Sequence, residues 1–114
     1  MISSINNSIS GIQAALDLQS VSAGNIANVA TDEFKSDVAV VEAEDNGGVT
    51  VTMTKNTEPG VVYDRGDGVE IESSNVDLAS EITNQISSKS FLQANVAAVK
   101  TADEMLGSLL DILA

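Results

Sequence analysis

From Asn75 to Ala114 the chain reads NVDLASEITNQISSKSFLQANVAAVKTADEMLGSLLDILA, with no proline and a single glycine, Gly107. Apolar residues fall at Leu78, Ile82, Leu92, Val96, Val99, Leu106, Leu110 and Leu113. With Gln85, Lys89 and Asp103 filling the gaps, the steps alternate between three and four, the heptad spacing of a helix that lies against another helix. Asp77 is placed to cap the start, since its carboxylate can accept the free N–H groups of the first turn. Read to Leu113 the helix has about 36 residues and a length of ~54 Å at 1.5 Å per residue. A 114-residue chain cannot fold back along such a rod without leaving part of it overhanging. The rod therefore calls for a partner of comparable length.

The first stretch, Ile2 to Val29, is the partner available within the chain. Ile2, Ile5, Ile9, Ile12, Leu16, Gln19, Ala23 and Ile26 follow one another in steps of three and four. One such stripe is also what an ordinary amphipathic helix shows, but two at opposite ends of a short chain point to a matched pair. Gly11 and Gly24 each cost roughly 1 kcal/mol against alanine in a helix interior. Together with Ser20, Ser22, Asn25 and Asn28 they predict a helix that is marginal alone and ordered when paired.

Between the two stripes the period changes to two. Asp37–Ala43 reads as a strand, Asn46-Gly47-Gly48 as a hairpin turn, and Val49–Thr54 as a half-buried strand alternating with threonine. Pro59-Gly60 breaks the chain, Val61–Tyr63 is a short third strand, and Val69–Glu72 a fourth across Arg65–Gly68. The expected organisation is α+β: a helical arm over 1–31, a small β domain over 32–74 and a helical arm over 75–114. The arms should pair as a coiled coil, beside one central antiparallel sheet of about four strands. From Asp32 to Glu72 there are eleven acids and three bases. About 41 residues build little core of their own, so the sheet should rest on the helices with its acidic face in solvent.

Several chemistries are excluded by composition. The chain has no Cys and no His, which removes disulfides, thiol chemistry, zinc sites of the usual kind and histidine acid–base catalysis. The net charge of −12, with Lys35, Lys55, Arg65, Lys89 and Lys100 scattered, argues against nucleic acid and anionic membranes as partners. No apolar run reaches the ~18 residues of a membrane span. The start, MISSINNSISG, lacks the pattern of a secretory signal, which by itself predicts a cytoplasmic protein. Asp64, Asp67, Glu70 and Glu72 do not match calcium-loop spacing and read as a solvated turn. Glu42, Glu44 and Asp45 have no aromatic cleft to make them a hydrolytic pair. No catalytic, metal or cofactor site is expected. Lys89 and Asp103 either set the register between subunits or turn to solvent. Gln85 and Asn95 are further candidates for register through amide hydrogen bonds.

The run SAGNIANVATDEFK, Ser22 to Lys35, resembles the N-terminal signature of the bacterial flagellar rod, hook and hook-filament junction proteins, typically NNIANVNTxGFK. The run SNVDLASEITNQISSKSFLQANVAAVKTADEMLGSLLDI, Ser74 to Ile112, resembles their C-terminal signature, with its NVD start, QAN core and KTxDEM stretch. Asp32-Glu33 stands where the family often has Pro-Gly or a similar turn, and Phe91 where tyrosine is common. The short middle is most similar to a proximal rod protein. The resemblance implies a structural subunit of the basal-body rod in the periplasm, exported through the flagellum's own channel without a cleaved signal. It would assemble with itself and with other rod or hook subunits and transmit torque. The residues expected at the assembly interface are Ile5, Ile9, Ile12, Leu16 and Ile26 from one arm and Leu92, Val96, Val99, Leu106 and Leu110 from the other. A different class, a helical-bundle export adaptor or domesticated rod-like binding protein, remains the alternative, distinguished by a compact monomer at low concentration.

Overall fold

The computed structural model describes residues 2–114, ordered as α1 (Ile2–Ala27), β1 (Asp37–Ala43), β2 (Val49–Lys55), β3 (Val62–Asp64), β4 (Glu70–Glu72) and α2 (Leu78–Leu113). The fold is α+β, with two long helices packed on one another and a small β region between them in sequence. α2 has the expected 36 residues, and the Asp77 carboxylate accepts from the Ala79 and Ser80 N–H groups at its start. α1 ends at Ala27, two residues short of Val29, and its last turn unwinds through short-range bonds such as Val29 N–H to the Ile26 carbonyl.

The helices run antiparallel. Gly11 lies against Asn95, the Gln85 amide donates to the Gln19 carbonyl at 3.1 Å, and the Ser22 hydroxyl donates to the Glu81 carbonyl at 2.9 Å. Continuing that register sets Ala27 beside the start of α2, so the two helices are flush there. At the far end Ile2 comes level with the turn around Ala102. The last ten or so residues of α2, about 15 Å at 1.5 Å per residue, have no counterpart on α1 among the described residues. The molecule is correspondingly elongated, 79 × 24 × 14 Å.

The four strands form two separate antiparallel hairpins and not the single sheet expected. β1 pairs with β2 from Asp37↔Lys55 to Ala43↔Val49, and β3 with β4 from Val62↔Glu72 to Asp64↔Glu70. The first hairpin turns where Gly47 and Gly48 take φ of +86° and +96°, values that a side chain disfavours. It lies along the helices, with the Ser10 hydroxyl accepting from Val49 N–H at 3.1 Å. The second hairpin does not join it, because the segment carrying Pro59 and Gly60 crosses to the strand before α2. There Ser73 N–H donates to the Val61 carbonyl, and the Asn75 amide donates to the Asn56 and Glu58 carbonyls at 3.1 and 2.8 Å.

Candidate assembly surface

The contact between α1 and α2 is built from small and polar residues. On α2 the positions at least partly covered are Glu81, Gln85, Ser88, Leu92, Asn95, Val99, Ala102 and Leu106, again three and four apart. Half of these belong to the expected seam. The other half is displaced by one residue, so Ser88, Asn95 and Ala102 stand where Lys89, Val96 and Asp103 were expected, and the latter three face solvent. On α1 the fully buried residues are Gly11, Ala14, Ala15, Ser22 and Asn25. The reason is closeness. A Cβ on Gly11 would fall 2.5 Å from Asn95 Oδ1, so the bare glycine leaves the space that the Asn95 amide fills. Larger aliphatic groups are displaced to the shoulders.

At the flush end a polar joint holds three elements together. Asn25, 1% exposed, donates to the Asp37 carbonyl at 2.8 Å and to Glu81 Oε1 at 2.9 Å, and its amide oxygen accepts from Asp37 N–H at 2.8 Å. Asn75 Oδ1 accepts from Ser36 N–H at 2.7 Å. Among the described residues no buried side-chain polar atom lacks a partner, as a joint taken out of water requires. Ser22 and Asn25 entered the sequence analysis only as residues that weaken a helix. Their partners lie on other elements, and no spacing rule reveals them.

The turn leading into the joint places Glu33 at φ 60°, a left-handed conformation that a non-glycine residue rarely takes. Its N–H donates to the Glu72 carbonyl at 2.8 Å, which holds the turn without the glycine common in the family. Glu72 in turn pairs with Lys35 and accepts from Gly60 N–H. The Lys35 bond, then the Gly60 bond, hold its carboxyl below the usual carboxylate range. Lys55 bridges to Asp37 at 2.7 Å and sits 5.4 Å above the Phe34 ring.

The hairpin packs on α1 and faces α2 across an open groove. On α1 it meets Asn7, Ser10 and Ala14; on α2 the facing residues are Asn84, Ser87 and Phe91. At about 100° per residue, 3.6 residues per turn, the predicted interface residues fall on the seam or on its opposite shoulder. Ile5, Ile12, Ile26, Leu92, Val99 and Leu106 are half-buried there; Ile9, Leu16, Val96 and Leu110 are exposed, the last at 68%. The α1 stripe and Val96 therefore lie on the shoulder away from the hairpin, while Leu92, Val99 and Leu106 belong to the seam itself. The α2 overhang adds Met105, Leu109, Ile112 and Leu113, all exposed. On the hairpin side, α1, α2 and β1 leave an open groove of about 370 Å³ whose apolar lining includes Leu18, Val21, Val38, Val41 and Phe91.

The surface thus combines a thin helix pair, an apolar shoulder and a bare helical end. Residues 70–112 match the family model described as flagellar basal body rod FlgEFG protein C-terminal. That description is of a flagellar basal-body rod component, and the similarity is confined to the matched segment. The match covers β4, the extended segment around Asn75 and nearly all of α2; the N-terminal run Ser22–Lys35 lies outside it. No curated protein matches the chain.

Proposed function

We propose that the chain is a rod subunit that assembles with copies of itself and with other rod or hook subunits through the open helical face. In this reading it is exported without a cleaved signal to the periplasmic rod, where interlocked helices resist twisting and transmit torque. The observation that carries it is the position of the two stripes. Ile9, Leu16 and Val96 are exposed on one shoulder of the helix pair, Ile5, Ile12, Ile26, Leu92, Val99 and Leu106 are half-buried beside them, Leu110 is exposed on the overhang, and among the described residues no other element covers that shoulder. An uncovered apolar surface of this extent is a partner-binding surface.

The test uses residues whose change leaves the helix pair intact. Val99 and Leu106 lie in the seam, so charge there would disturb folding as well as assembly. Leu16 and Val96 are about half exposed, at 50% and 49%. The double variant Leu16→Asp, Val96→Asp should keep its helical circular dichroism, be exported, and fail to assemble or support motility. Unchanged assembly and motility would overturn the proposal. The adaptor reading draws on the closure of the helix pair within a single chain. It requires instead a compact monomer over the whole concentration range in light scattering.

A further inference from the structure

We infer that the bare end of α2 in one copy seats in the helix–hairpin groove of the next copy, joining copies head to tail; this rests on the assembly reading above and names one of its contacts. The overhang carries Met105, Leu109 and Ile112, spaced i, i+4, i+7 along one side of the helix and all exposed. That spacing is how a helix anchors itself in an apolar groove. Glu104 and Asp111 lie on the flank of that row, about 100–130° round the helix at 100° per residue, where their carboxylates can stay at the rim of the contact and in water. The groove has an aliphatic and aromatic wall. Its two carboxylates are already engaged, Asp37 by Lys55 and Glu81 by Asn25, and no cationic side chain lines it. It thus fits an uncharged row of side chains and offers nothing to an anion.

The occupant has to come from another molecule. Phe91 and Leu109 belong to one unbroken helix and stand about 27 Å apart at 1.5 Å per residue. The donor surface is at one tip of the 79 Å molecule, and the acceptor groove is well back from that tip. A contact between unlike surfaces can repeat from copy to copy, and gives an open filament when its rotation does not close a ring. A groove of this size covers well under the ~800 Å² per partner of a stable two-body complex. Each contact is therefore weak by itself and persists within an array.

The chain has no cysteine, so single-cysteine variants of the full chain report on one contact at a time. Leu109→Cys and Val41→Cys proteins are mixed under mild oxidation at a concentration where sedimentation shows the unmodified chain associating. A disulfide-linked dimer that needs both variants is expected. Leu109→Asp with Ile112→Asp should lower the self-association constant about tenfold or more, ~1.4 kcal/mol per decade, with helix content unchanged. Association without the mixed cross-link, or linkage only between two Leu109→Cys chains, overturns the head-to-tail contact and leaves the assembly reading standing. No association at any concentration overturns both.

Discussion

Asn25 joins three elements with one amide, bonding both backbone groups of Asp37 and the Glu81 carboxylate. Asn25→Ala would leave a buried N–H without a partner, at a cost of about 2–4 kcal/mol once lost bonds and desolvation are combined. Urea denaturation should show that loss. Gly11 offers a sharper test, because two effects of opposite sign meet there. Alanine is better than glycine in a helix interior by about 1 kcal/mol, but its Cβ would fall 2.5–2.9 Å from the Asn95 amide atoms. Overpacking of this kind costs about 1–3 kcal/mol. Gly11→Ala should therefore destabilise the native chain, and should stabilise it in an Asn95→Ala background. A double-mutant cycle that adds without coupling would show that the helices do not touch at this point.

The two helices were legible in the sequence as elements, and α2 down to its cap, because length, breakers and an N-cap carboxylate are local properties. The way they face each other was not. Spacing rules place the bulkiest apolar groups in the contact, and here the contact belongs to Gly11, Ala15, Ser22, Ser88 and Asn95, while Ile9, Leu16 and Val96 remain outside. A stripe signals burial against something, and it reads the same whether the cover is the chain's own helix or a neighbour. The hairpin turn at Gly47 was legible from residue type. The left-handed Glu33 was not, since only its N–H bond to Glu72 holds that conformation. The caps also fix a pH response. The Asp77 carboxyl is held below its usual range first by the Ser80 hydroxyl, then by the Ser80 and Ala79 N–H groups. Its ionised form, like that of Glu72, is the one the fold favours. This contribution is complete above the ordinary carboxylate range and disappears as pH falls through the lowered folded-state values. Stability against urea should fall on acidification, and Asp77→Asn should make that decline shallower. Equal acid slopes for the two proteins would contradict the assignment. Tyr63 works the other way. Its bond to Asp32 raises the phenol's pKa, so that contribution is lost only as pH rises past it.

Across the whole molecule the net charge of −12 opposes association, and the acidic middle region supplies most of it. At 0.01 M salt the screening length is about 30 Å, wider than the molecule is thick, and at 0.1 M it is about 10 Å. Apolar attraction is not weakened by that change. Self-association should therefore strengthen between these two salt concentrations in analytical ultracentrifugation. A weaker association at higher salt would mean that ion pairs, not the open face, hold the copies together. One geometric property needs no partner to be stated. The two helices finish together at the joint and out of step at the other extremity, so the molecule has a blunt pole and a pointed one. Any row of copies laid in a common orientation inherits that difference. Its two tips are chemically unlike, and growth from one of them need not proceed as growth from the other does.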